Sequence, residues 1–239
     1  MSFNLLSDKQ LEKLVLDHNY EIHISNIYQL YQIIDHTNLI IKEYYNTPDC
    51  HRCGICCSGV FDVTPVEAQV IWEALTGNYI PRGLFPPLPE ETLAHRFNLA
   101  KKQLDTVLRD NSFICPFYHH QVGCLIYKVR TLICRVFEVA VPNFDFIDEI
   151  KEELFGKTAA SNSGILCPNL KEAKEYPSTF VVWDLEGLTT LLEKMYPGAA
   201  VYEARLLSFF KYMEKDLDLN GIPSSFKLKD YIKVVSSVG

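Results

Sequence analysis

What this sequence lacks narrows its function before any motif is read. No stretch approaches the ~18–20 uninterrupted apolar residues that a bilayer-spanning helix requires, so no membrane span is expected. The opening residues, Met1 to Lys9, show no basic segment leading into an apolar stretch and a small-residue cleavage site, so no secretory leader is expected either. Positive charge is in deficit, with 23 Lys and Arg against 30 Asp and Glu, a formal net charge of −7, and both signs are interspersed. Nucleic-acid surfaces usually appear as a basic patch and a high isoelectric point, so no nucleic-acid partner is expected. There is no Gly-x-Gly-x-x-Gly, no Walker lysine loop and no Gly-x-Ser-x-Gly. Standard nucleotide and hydrolase sites are therefore unsupported. Internal repeats and low-complexity tracts are absent as well.

What remains is a chain of 239 residues, 48% hydrophobic, which can bury a full core without help from disulfides. One domain covering 1–239 is expected, in the cytoplasm, where the thiol pool keeps cysteines reduced. In that setting the eight cysteines point to metal or redox chemistry, whereas in a short secreted chain they would suggest disulfides.

The periodicity is mostly helical. Ser7-x-x-Gln10 is a capping-box signature opening a short helix to about Leu16. Apolar residues recur at helical spacing from about Ser25 to Tyr44, and the helix should stop before Pro48. Thr64, Pro65 and Glu67 mark the start of a further helix that Gly77 ends. Past Pro81, Pro86, Pro87 and Pro89, another amphipathic helix is expected over about Glu90–Arg109. Short β-prone runs, Phe113–Cys115 and Cys124–Tyr127, suggest a hairpin about residues 119–123. Helical patterns return at about Phe144–Phe155, Asp184–Met195, Ala199–Leu217 and Leu228–Val235. The expected fold is mainly α, a helical domain with a small β-hairpin and a cysteine-rich metal-binding loop. It divides into N-terminal helices (1–46), a metal-binding core (47–175) and C-terminal helices (176–239).

The cysteines carry the chemistry. Cys50-x-x-Cys53-x-x-Cys56-Cys57 sets four thiols within eight residues. A Cys-x-x-Cys turn lets two sulfurs point at one centre about 2.3 Å from each. The first three repeat that spacing, as in the three-cysteine run of bacterial ferredoxins. Gly54 leaves backbone conformations open in which amide groups can aim at sulfur. Cys115, Cys124, Cys134 and Cys167 follow, two of them as Cys-Pro, and no cysteine lies beyond Cys167. Arg130 and Arg135 bracket Cys134, where guanidinium groups would help keep thiols ionised near a bound cofactor. Free cysteine is also a common core filler, and that plain reading competes at Cys124, Cys134 and Cys167. It does not suit Cys50–Cys57, flanked as they are by Asp49, His51 and Arg52. His51, His119 and His120 read as hydrated loop residues, and Trp72 and Trp183 as core.

Taken together, Cys50-x-x-Cys53-Gly54-x-Cys56-Cys57, Cys115-Pro116-Phe117, Cys124-x-Ile126-Tyr127 and Arg130-x-x-x-Cys134-Arg135-x-Phe137 resemble the CxxCxxCC cysteine-cluster family of zinc- or iron-chelating domains. Some flagellin lysine N-methylases carry related cysteines. The resemblance spans about Cys50 to Cys167 and implies that all eight cysteines are metal ligands. The family commonly has Arg-Pro where this chain has Arg130-Thr131, which implies a less rigid loop without loss of a ligand.

Zinc is usually closed by two well-separated Cys-x-x-Cys pairs. All-thiolate ligation with a ferredoxin-like triple and two Cys-Pro pairs favours an iron–sulfur cluster, 4Fe-4S by preference, with zinc as the alternative. The functional expectation is a metal-binding protein acting in electron transfer, metal handling or sensing, with a protein partner left open. The alternatives are an S-adenosylmethionine-dependent protein lysine N-methyltransferase and a zinc-stabilised interaction module. Whether the chain is an enzyme is left open by the sequence.

Overall fold

The computed structural model describes residues 4–17, 19–45, 63–76, 92, 94–100, 102, 115, 117–119, 121–136, 179–198 and 217–236. Helix predominates among them. The expected helices at 144–155 and 199–217, the 47–62 loop and the proline-rich link lie outside the described residues, Leu217 apart.

Local sequence fixes the first elements. Helix α1 (Asp8–Leu16) opens where Gln10 Oε1 accepts from the Ser7 amide at 3.0 Å, and it buries Leu11 and Leu14. Strand β1 (Glu21–Asn26) follows, and helix α2 (Ile27–Tyr45) starts directly from its end. The helix was expected from Ser25. In the structure Ser25 and Asn26 finish the strand, because Ile22 and Ile24 alternate inward against outward Glu21 and His23. Asn26 then caps α2, its Oδ1 accepting from the Gln29 amide at 3.0 Å.

Helix α2 is buried around most of its first four turns: Ile27, Tyr28, Leu30, Tyr31, Ile33 and Ile34 are all core. Each such side chain contributes roughly 1.5–3 kcal/mol of burial. Its glutamines also tie down the chain before α1. Buried Gln32 accepts from the Leu6 amide at 2.9 Å and donates to the Leu6 carbonyl at 3.3 Å. An extended segment is thereby satisfied without a sheet.

Helix α3 (Pro65–Thr76) forms as the caps dictate. Residues 94–100 are helical, within the expected 90–109 span. The hairpin exists but is shorter and later than expected: β2 (Tyr118–His119) pairs antiparallel with β3 (Gly123–Cys124). Gly123 takes φ +80°, where a side chain would be strained. The Phe117 carbonyl accepts from the Leu125 amide at 2.8 Å, and of the expected first run Cys115 stands outside the strand while Phe113 and Ile114 lie outside the described residues. A 3₁₀ turn (Tyr127–Val129) leads into the short helix α4 (Leu132–Val136).

The C-terminal part departs most from expectation. Strand β4 (Thr179–Trp183) precedes helix α5 (Leu185–Met195), and strand β5 (Asn220–Lys227) and a 3₁₀ turn (Leu228–Asp230) lead to strand β6 (Ile232–Ser236). The helix expected over Leu228–Val235 is thus one 3₁₀ turn and a strand. The run Ile232-Lys233-Val234-Val235 is β-branched at three of four positions and pairs antiparallel with β4, Val181 opposite Val234. Segment 176–239 is therefore not purely helical.

Among the described residues the strands form three two-stranded antiparallel sheets: β1 with β5, β2 with β3, and β4 with β6. The first joins the two ends of the chain, with Ile22 opposite Phe226 and Glu21 opposite Lys227, whose side chains form an ion pair at 3.0 Å. Buried Tyr196, at the end of α5, pins the same junction. Its hydroxyl accepts from the Ile27 amide at 2.8 Å and donates to the Leu219 carbonyl at 2.6 Å. Among the described residues, no helix is long and apolar enough to cross a membrane.

Candidate metal centre

Within the cysteine-bearing segment, polar groups largely out of water hold the turn from Tyr127 to Val136 from three sides. The first is Asp35 on α2. Its Oδ1 accepts from Arg130 Nη2 at 3.2 Å, and its Oδ2 pairs with Arg135 Nη1. The three side chains are 11%, 5% and 0% exposed, so the ion pairs lie almost out of water. Both guanidinium groups also bind backbone carbonyls of the turn. Arg130 donates to the Tyr127 carbonyl at 2.7 Å, and Arg135 donates to those of Arg130 at 3.0 Å and Lys128 at 2.6 Å. Each stacks on an aromatic ring, Arg130 on Tyr127 and Arg135 on Tyr31 of α2, at 4.0 and 3.9 Å.

The second side is Asn38, one turn further along α2. Its Nδ2 donates to the Arg135 carbonyl at 2.8 Å, and its Oδ1 accepts from Trp183 Nε1 at 2.8 Å. A single buried amide thus connects α4 to β4.

The third is Glu67 on α3, the capping residue the sequence reveals. One carboxylate oxygen, Oε2, accepts from the Thr64 hydroxyl at 2.8 Å and the Thr64 amide at 3.2 Å. The other, Oε1, accepts from the Leu132 amide at the start of α4. One side chain therefore closes two helix N-termini. Burial drives its carboxyl above the ordinary range, opposed by the Leu132 and Thr64 hydrogen bonds and by the charge of Arg135.

Cys134 stands on this clamped turn. The Thr131 hydroxyl donates to its sulfur at 3.2 Å. Cys115 and Cys124 sit at the hairpin. Tyr118 lies opposite Cys124 in register, and its amide donates to the Cys115 carbonyl at 3.0 Å, so one residue ties both cysteine backbones. All three cysteines are of intermediate exposure, half in the core and half out of it. Thiols have the soft donor chemistry that zinc and iron–sulfur clusters require. Among the described residues, no three His, Cys, Asp or Glu side chains converge as a metal group. Cys50, Cys53, Cys56, Cys57 and Cys167 lie outside the described residues, as do His51 and His120.

The structure places Arg130 and Arg135 beside Cys134 in the chain, with their guanidinium groups engaged by Asp35 and the turn's own carbonyls. Asp35 and Asn38 were not singled out in the sequence. The signal was the polar quartet Asp35-His36-Thr37-Asn38 between Ile33-Ile34 and Leu39-Ile40-Ile41, in a helix otherwise apolar on most sides. Trp183 is core, as its type suggests, with its indole N–H satisfied by Asn38.

No curated protein and no solved structure matches the chain. A family model does match, over residues 49–160. That span takes in seven of the eight cysteines, Cys50 through Cys134, and ends before Cys167. Asp35, Asn38 and Trp183 all lie outside it. The segment 49–160, with its Cys134 turn clamped by buried polar groups, is similar to the CxxCxxCC family, whose description reads "Putative zinc- or iron-chelating domain".

Proposed function

We propose that this chain folds as one domain around a thiolate metal centre, that the centre is an iron–sulfur cluster, and that the protein works in the cytoplasm in electron transfer, metal handling or sensing. The observation that carries this reading is the thiol pattern. Four cysteines occur within Cys50–Cys57 at ferredoxin-like spacing, and the three described downstream cysteines are half-buried within the segment that matches the model of a metal-chelating domain. Zinc would be satisfied by fewer thiols than the chain offers. The pairing of β1 with β5 supports a single unit, because it joins the chain's two ends.

A bound iron–sulfur cluster supplies one-electron chemistry. The chain's residues supply the surroundings: Cys50, Cys53, Cys56, Cys57, Cys115, Cys124, Cys134 and Cys167 as the pool of ligands, and Arg130 and Arg135 as fixed positive charge near Cys134. Anaerobic purification tests the reading. Brown protein containing iron and acid-labile sulfide is the expected result; colourless protein with zinc alone would overturn the iron–sulfur assignment and leave a structural zinc module.

A further inference from the structure

The Cys134 turn holds one contact that neither the cysteine pattern nor the clamps explain. Thr131 is 5% exposed and precedes α4, where its carbonyl accepts from the Arg135 amide at 3.1 Å. A threonine there ordinarily turns its hydroxyl toward an amide of the first helical turn, because those amides lack partners. Here the hydroxyl also has a partner for its own proton, donating to the Cys134 sulfur at 3.2 Å. The amide of Leu132, first in the helix, is already taken by Glu67. The clamps from Glu67, Asp35 and Asn38 fix the backbone on both sides of this contact, so its geometry is held by three buried groups.

We infer that Thr131 is a positioning and tuning residue for Cys134, its hydroxyl hydrogen bond setting the sulfur's orientation and electron-donor strength toward a bound metal. The inference rests on the metal reading above and adds a residue to it. A hydrogen bond to a ligand sulfur withdraws electron density from it. That raises the reduction potential of an iron–sulfur cluster and shifts sulfur-to-metal charge transfer to higher energy. A threonine that merely capped a helix would alter stability and move neither quantity.

The test uses the full chain and two probes. Metal-free protein is titrated anaerobically with cobalt(II), and the sulfur-to-cobalt charge-transfer band is recorded. Protein rebuilt with iron and sulfide is followed by its reduction potential. Thr131→Val keeps the shape and removes the hydroxyl. It should take up the same amount of metal, with the band red-shifted and the potential more negative. Thr131→Ser should restore both. Thr131→Ala, which adds no branched bulk, should repeat the valine result and covers the case in which valine fails to fold. Cys134→Ser should weaken the band. Coincident bands and potentials in wild type, Thr131→Val and Thr131→Ala would overturn the inference while leaving the metal reading intact, as would an undiminished band in Cys134→Ser. A wild-type chain that takes up neither cobalt nor iron would overturn the metal reading and this inference with it.

Discussion

Replacing Asp35 by asparagine puts the clamp around the Cys134 turn to a direct test. Asparagine is nearly isosteric, so the change removes a charge and leaves little cavity. The carboxylate serves two guanidinium groups, and the three side chains are 11%, 5% and 0% exposed. Pairs at a water-exposed surface are worth at most about 1 kcal/mol. Removing one partner of a buried pair instead costs about 3–5 kcal/mol, because the remaining charge is left without compensation. The second estimate applies here, since the neutral amide would offer both arginines a weaker acceptor and could place its NH₂ group against one of them. For a chain of this size, about 3–5 kcal/mol corresponds to a fall in Tm of roughly 6–20 °C. Urea denaturation followed by far-UV circular dichroism gives the free energy directly, with the m-value checking that unfolding stays two-state. Arg135→Met in the Asp35→Asn background should cost far less than the sum of the two single changes, because the cation that asparagine strands has been removed. A loss below about 1 kcal/mol for Asp35→Asn, or simple additivity in the cycle, would refute the buried-clamp argument.

Two further outcomes follow from the same geometry. Burial raises the Glu67 carboxyl in the folded chain. In the window between its unfolded and folded values, the folded state therefore binds the extra proton. Stability from that proton is complete below the unfolded value and is lost as pH rises through the raised one. Urea midpoints measured from about pH 4 upward should decline more steeply in wild type than in Glu67→Gln, which should also be less stable because its NH₂ cannot accept from Thr64 or Leu132; equal slopes would sink the assignment. Tyr196→Phe leaves the Ile27 amide and the Leu219 carbonyl without the hydroxyl they share. A loss of about 1–3 kcal/mol in chemical denaturation is expected, and a loss under about 0.5 kcal/mol would show that the hydroxyl is not a pin.

The features legible in the sequence were those whose physics is local. Ser7 with Gln10 and Thr64 with Pro65 and Glu67 read correctly because a cap is decided within four residues. Outside the expected hairpin, strands β1, β4, β5 and β6 were missed because their evidence lies far away in the chain. Glu21 meets Lys227 and Trp183 meets Ile232, separations that no periodicity reports. In β1 the alternation lasts six residues and runs straight into a helix, so the helical pattern absorbed its last two. Over Leu228–Val235 the residues Leu228, Tyr231, Ile232 and Val235 fit helical spacing, and only the pairing of Ile232–Ser236 with β4 decides for a strand there.

The two arginines mark where the site exceeded what the sequence could say. Their charge was legible, and so was their place around Cys134; what balances that charge was not, because Asp35 stands nearly a hundred residues earlier in a helix that reads as core. The structure makes the arginines structural first, binding Asp35 and the carbonyls of the turn they stand on. That role does not cancel an electrostatic one. Both cations are held on the turn that carries Cys134, and positive charge beside a thiol favours its ionised form. The same geometry explains why the matched segment 49–160 draws on α2 and β4: its own residues provide the thiols and the cations, while from the flanks Asp35 holds those cations and Asn38 ties the turn's backbone to Trp183.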